Sequence, residues 1–340
     1  MEHAINLENY KIHTDLAIDV IDNTNSLNGV KQTIKNIDNT VVTTVFLDKK
    51  NSLEKKEGNY ITIEFNDITD TSNYKKVKKV IKACLSDMLM KMKIKDSDKC
   101  LFIGLGNEKS TPDSLGPKVF SDIIVTSHIY EMGNLDDNYR SVAAITPGVM
   151  GTTGIDTSDI IESIVKKIKP DFIIVVDALA SQSVDRVNKT VQMTDTGIHP
   201  GSGIGNERKE ISKELLNIPV LAIGIPTVVD AVVIVSDTIN YMYKHYVFNK
   251  EYSKDPKSKL TFNNVNYLNK DIKIDEIDKE KLFGLIGTLN DIETKKLVSE
   301  VLTPIGYNLM VTPKEIDFVI EKLAMLISSS INETIHNLSN

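Results

Sequence analysis

The spacing of apolar positions changes character several times along the chain. Residues 1–40 are polar and rich in Asn and Asp, with no sustained apolar repeat, which predicts a loosely packed leader or arm that is easily removed. Two β-branched and aromatic runs follow, VVTTVFL at 41–47 and YITIEF at 60–65, expected to be strands paired as a hairpin across the Lys-rich stretch between them. From about residue 74 apolar residues recur three and four apart, the spacing of an amphipathic helix.

Beyond residue 100 short apolar runs alternate with helical patterns. CLFIGLG at 100–106, SVAAITPG at 141–148, DFIIVVDALA at 171–180 and IPVLAIGIP at 218–226 each end at or near Gly or Pro, and helical segments lie near 114–130, 156–169 and 227–247. That order predicts an α/β three-layer sandwich with a mostly parallel central sheet, to which the hairpin is added. Residues 250–281 are charged and aperiodic, as expected of a surface connector, and about 282–335 reads as a helical C-terminal extension whose last helix begins at Thr312-Pro313. Residues 16–340 are thus expected to form a single domain, without internal repeats.

Composition narrows the class. The 340 residues are 41% hydrophobic, enough for a large core, and no run of eighteen apolar residues suggests a membrane span. The N-terminus is polar and acidic rather than signal-like, so a cytoplasmic location without a membrane partner is expected. Cys84 and Cys100 are too few for a disulfide framework and lack the paired spacing of a structural zinc site, so both are expected to be reduced. A net charge of −7 disfavours direct nucleic-acid binding.

Two loops hold candidate chemistry, because open α/β sheets bind their ligands beyond the carboxyl ends of the parallel strands. One runs from Gly104 and Gly106 to Thr111-Pro112-Asp113; the other begins at Asp177, directly after four β-branched residues. An acid at the rim of a buried strand is partly desolvated and suited to proton transfer, and a second acid nearby would allow one carboxylate to act as base and the other as acid. Asp113 suits a helix N-cap equally, and Asp177 suits metal or ribose binding.

The glycines leave alternatives open as well. Gly104 and Gly106 lack the third glycine of a dinucleotide loop and suit a tight turn; Gly148, Gly201 and Gly203 lie in loops that either turn or present backbone N–H groups to a substrate. His199 near Asp195 and Ser202 invites a serine-hydrolase reading, but no nucleophile elbow follows any strand. Asp156, Asp159, Asp185 and Asp230 are placed for capping helices.

Long motifs resemble one family. GLGNEKSTPDSLGPKV at 104–119, PGVMGTTGIDTSDII at 147–161, KPDFIIVVDALASQSVDRVNKTVQMTDTGIHPGSGIGNERKEIS at 169–212, IPVLAIGIPTVVDAV at 218–232 and IGYNLMVTPKEID at 305–317 are similar to segments of the germination proteases, which degrade small acid-soluble spore proteins as spores germinate. The resemblance implies an atypical aspartic endopeptidase of the spore core, with Asp113 and Asp177 as its catalytic carboxylates. It further implies a homotetrameric zymogen, needing no metal or other cofactor, that removes its own propeptide. The family's processing segment matches Tyr10-Lys11-Ile12-His13-Thr14-Asp15-Leu16-Ala17, which places the cleaved bond at Asp15–Leu16 and residues 1–15 in the propeptide. The leader is then expected to occupy the site as an internal substrate. The implied fold is similar to that of the hydrogenase maturation peptidases, so a metal-dependent peptidase is the alternative enzyme, and a non-catalytic nucleotide-binding module the alternative of another class.

Overall fold

The structure is a computed structural model that describes residues 14–22, 27–53, 55–133, 136, 138–199, 209–252, 272–302, 309–336 and 338. These fall into two compact units, one drawn from His13–Val229 and Thr312–Asn340, the other including Asp230–Val311. In chain order the elements are α1 (Ala17–Asp22), β1 (Val30–Ile37), β2 (Thr40–Leu47), β3 (Gly58–Phe65), α2 (Thr71–Lys91), β4 (Cys100–Gly104), α3 (Leu115–Ser121) and α4 (Ser127–Glu131). There follow β5 (Val142–Ile145), α5 (Met150–Thr153), α6 (Thr157–Ile168), β6 (Phe172–Ser181), β7 (Thr190–Thr194), α7 (Lys213–Leu216) and β8 (Val220–Asp230). The smaller unit carries α8 (Ala231–Tyr252), α9 (Glu276–Phe283) and α10 (Asp291–Leu302), and the larger unit closes with α11 (Ile316–Ile335). The helical extension expected over 282–335 is thus divided between the two units, and α11 starts at Ile316, whose N–H closes a turn on the Pro313 carbonyl at 3.1 Å.

Eight strands of the larger unit form one sheet in the order β1-β2-β3-β7-β8-β6-β4-β5. Strands β5, β4, β6 and β8 run parallel to one another, as the alternating pattern predicts. The expected hairpin forms in full, with Thr40 opposite Phe65 and Leu47 opposite Gly58, and it joins the parallel strands through β7, which is antiparallel to both β3 and β8.

Because side chains alternate across a strand, each parallel strand feeds two cores. Phe102, Ile174, Val176 and Ile223 face a layer of α2, α3 and α11, whereas Leu101, Ile103, Val175 and Ala222 face α6 and α7. The result is the helix–sheet–helix sandwich. The helix α6 illustrates how local sequence sets these layers: Asp156 caps it by accepting from Ser158 N–H at 2.9 Å, Ile161 and Val165 occupy one face, and Lys169 ends it in the left-handed region.

The arm expected over residues 1–40 needs correcting. Residues 30–37 form the edge strand β1, exposed at every position after the first, so neither face carries the apolar alternation by which a strand is recognised. Leu16, Ala17, Ile18 and Ile21 are buried. Hydrophobic burial of a single Leu side chain is worth roughly 1.5–3 kcal/mol, so this segment is seated in the larger unit rather than loosely tethered.

Candidate active site at the ends of β4 and β6

The strands β4 and β6 run side by side in parallel, with Gly104 opposite Val176, and Leu105 N–H extends the ladder by donating to the Val176 carbonyl at 2.8 Å. Asp177 follows immediately and is buried; its Oδ1 accepts from Ala178 N–H at 2.9 Å. After Leu105 the chain turns back on itself at Gly106, where φ is +115°, and Asn107 N–H donates to the Asp113 carbonyl at 2.9 Å. A Cβ on Gly106 would lie 2.0 Å from that carbonyl oxygen and 3.3 Å from Asp113 Oδ1. Only glycine leaves room for the Asp113 turn to close over it.

The same turn is fastened on its other side, because Thr227 Oγ1 on β8 donates to the Pro112 carbonyl at 2.7 Å. Since β6 lies between β4 and β8, the turn bearing Asp113 bridges the strand that bears Asp177. The Asp113 turn and Asp177 thus share one region of the sheet, beside the end of β4 and midway along β6, which runs on to Ser181. Asp113 is not the cap of α3, whose N-cap position falls on Ser114.

The remaining glycines have separate positions. Gly104 packs the strand end against α3, where an added Cβ would lie 2.3 Å from the Gly116 carbonyl oxygen, and Gly148, at φ +74°, shapes the turn before α5. Gly201 and Gly203 lie outside the described residues, as does Ser202. The neighbours of His199 and Asp195 are structural: His199 Nε2 is 3.3 Å from Glu210, and Asp195 accepts from Asn59 N–H at 2.8 Å.

The segment 14–18 lies against this site. Asp15 N–H donates to the Ala180 carbonyl at 3.3 Å, and Asp15 Oδ2 accepts from Ala180 N–H at 2.9 Å. Leu16 is fully buried against Leu179. Gln192 grips the backbone on both sides of the Asp15–Leu16 bond, its Nε2 donating to the Asp15 carbonyl at 3.0 Å and its Oε1 accepting from Ala17 N–H at 2.6 Å. Asp177, Gly224 and Gln192 occupy one row across β6, β8 and β7, and residues in such a row project to the same face. The Asp15–Leu16 bond is therefore held on the face of the sheet to which Asp177 belongs.

A buried ionic cluster anchors the far side of this segment. Asp19, at 1% exposure, accepts from Thr14 Oγ1 at 2.7 Å, Ser181 Oγ at 3.1 Å and Gln182 N–H at 2.7 Å, and pairs with Arg186, which also reaches Glu64 at 3.0 Å. Neither Gln192 nor Asp19 stands out in the sequence. Their partners are brought to them by strand pairing and by the return of α1, at separations that no short motif spans.

A family model described as germination protease matches residues 6–340. The chain belongs to the germination protease family. It is accordingly a protease of spore germination. Germination proteases of Bacillus thuringiensis subsp. konkukian (strain 97-27) and Bacillus anthracis (strain CDC 684 / NRRL 3495) are each 43% identical to it, the alignments covering 99% of this chain and 97% of each relative. Among solved structures, the [NiFe] hydrogenase maturation protease HycI from Thermococcus kodakarensis KOD1 is 17% identical with a TM-score of 0.28, matching 42% of this chain and 80% of that one. No helix among the described residues is long and apolar enough to cross a membrane.

Proposed function

We propose that the chain is an endopeptidase made as a zymogen, that it cuts its own Asp15–Leu16 bond, and that it then initiates breakdown of small acid-soluble spore proteins in the spore core. Asp113 and Asp177 are its catalytic pair. One carboxylate takes a proton from the attacking water while the other, protonated, gives its proton to the carbonyl oxygen; the proton taken from water then passes to the leaving amine, and collapse of the resulting diol returns a proton to the second carboxylate. No metal or other cofactor enters these steps, and the working form is a homotetramer.

The observation that carries this reading is the docking of the Asp15–Leu16 bond on the Asp177 face, with Gln192 holding the backbone on either side of it. Fixing a peptide beside the reacting group supplies much of what catalysis requires, and a seated Asp15–Leu16 segment also excludes other substrates. Support for the pair itself comes from the Asp113 turn, which Gly106 and Thr227 tie across β6.

The test is intact-mass analysis of the full chain and of a spore protein incubated with it, with and without a chelator. Loss of residues 1–15, and cleavage of the spore protein, should persist with chelator and disappear in Asp113→Asn and in Asp177→Asn. Activity abolished by chelation would replace the carboxylate pair with metal-assisted hydrolysis, and full activity in either variant would remove that residue from the chemistry.

A further inference from the structure

A cavity of about 270 Å³ opens beside the docked segment and is lined by Thr14, Asp15, Lys55, Tyr60, Gln192 and Thr196 among others. The half-buried Lys55 belongs to the loop between β2 and β3, far in sequence from Asp113 and Asp177. Its neighbour Lys56 is already committed to an ion pair with Glu210 and a second with Glu214 at 3.2 Å. Lys55 instead faces the cavity that Asp15 shares. Burial pushes its ammonium below the usual lysine range, and the carboxylates of Asp15 and then Asp19 work in the opposite direction. A lysine in this setting gains when a carboxylate enters beside it and loses when that carboxylate is removed.

The backbone around Asp15 is held by groups that do not depend on side-chain identity: Gln192 on either side of the Asp15–Leu16 bond, and the Ala180 carbonyl on Asp15 N–H. Two features address the Asp15 side chain itself, the Ala180 N–H at 2.9 Å and the charge of Lys55 across the shared cavity. Leu16, the residue after the bond, is enclosed by Leu179. A built site of this kind, backbone clamp plus one charged determinant, remains usable after its first occupant has gone.

We propose that Lys55, with the Ala180 N–H, is the specificity determinant for an acidic residue on the N-terminal side of the cleaved bond, and that Gln192 is the clamp that positions the substrate backbone there. The assignment rests on the self-cleavage reading above. In the zymogen Asp15 fills the subsite; once the leader is lost, an acidic residue of a substrate peptide takes the same place, with an apolar residue following it against Leu179.

Reciprocal charge exchange in the full chain tests the assignment, followed by the rate at which a species beginning at Leu16 appears in intact-mass spectra. Asp15→Lys and Lys55→Glu should each slow that rate by at least about tenfold, the double variant should regain most of it, and Lys55→Arg should stay close to the unmutated chain. A merely structural lysine would not be rescued by the exchange. Single variants that process at the unmutated rate, or a double variant no faster than the singles, would overturn the assignment while leaving the protease reading in place. An unmutated chain that never loses its leader would overturn the self-cleavage reading, and this assignment with it.

Discussion

Arg140 N–H donates to Nδ1 of His336 at 3.2 Å. An accepting Nδ1 places the ring proton on Nε2, which lies 3.2 Å from the Ile124 carbonyl and donates to it. Burial lowers the pKa of His336, the Ile124 bond opposes this, and the Arg140 guanidinium adds to the lowering. A group with a depressed folded-state pKa stabilises above its unfolded value, about 6.5 for His, and that contribution is lost as pH falls through the folded value. The melting temperature should therefore decline below about pH 6.5, and His336→Gln, which keeps an amide donor, should flatten that part of the profile.

Gly106→Ala should be destabilising by more than about 1 kcal/mol, because it combines a φ of +115° with a Cβ only 2.0 Å from the Asp113 carbonyl oxygen. Relief of the clash moves Asp113, so cleavage activity should fall far more steeply than denaturant stability. Equal retention of both would contradict the role given to the turn.

Gln192→Leu keeps much of the side-chain volume but leaves the Asp15 carbonyl and the buried Ala17 N–H without this partner. A stranded buried polar group costs about 1–3 kcal/mol. Hydrogen exchange at Ala17 should accelerate, and processing at Asp15–Leu16 should slow even if the protein remains folded.

Arg186→Met removes a cation that Asp19 and Glu64 share, and breaking a buried pair from one side costs about 3 kcal/mol or more. Added protease should then cut within residues 14–22 sooner than elsewhere. Loss of stability without such local opening would show that Arg186 does not anchor α1.

Both thiols should resist alkylation in the folded protein. Burial pushes Cys100 up to about 12, although Arg140 opposes it, and burial followed by the Asp87 carboxylate pushes Cys84 up to about 11. A raised thiol pKa leaves little thiolate, so at pH 8 iodoacetamide should label both residues readily only after unfolding, with at least roughly a hundredfold difference in rate for Cys84.

How much of this was legible depended on which strands keep a buried face. β4, β6 and β8 are buried on both sides and read as apolar runs, so the parallel centre followed from pattern alone; Asp177, expected at a strand end, instead lies within β6, because the apolar ALAS segment after it continues the pairing with β8 to Ser181. β1 is solvated on nearly every residue and carries no such pattern, and β7, with Gln192 and two threonines among its five buried residues, is too short and too polar to register. Asp113 was visible as a candidate but not its fastening, since the Thr227 bond links residues 115 positions apart. Gln192 and Lys55 were missed for the same reason: each acquires its meaning only when β3 and β7 pair and α1 folds back over them.

The grip on residues 15–17 also sets an order in time. Its parts come from Ala180 and Gln192, and the row that aligns Gln192 with Asp177 is completed by Gly224 on β8. A chain emerging from the ribosome presents residues 15–17 early and cannot seat them until some two hundred further residues have been made and the last parallel strand has docked. Seating of this segment thus reports that the sheet is finished. Under the proposed self-cleavage, a bond held in this way meets the carboxylates only in molecules that have already folded, which makes maturation a form of quality control.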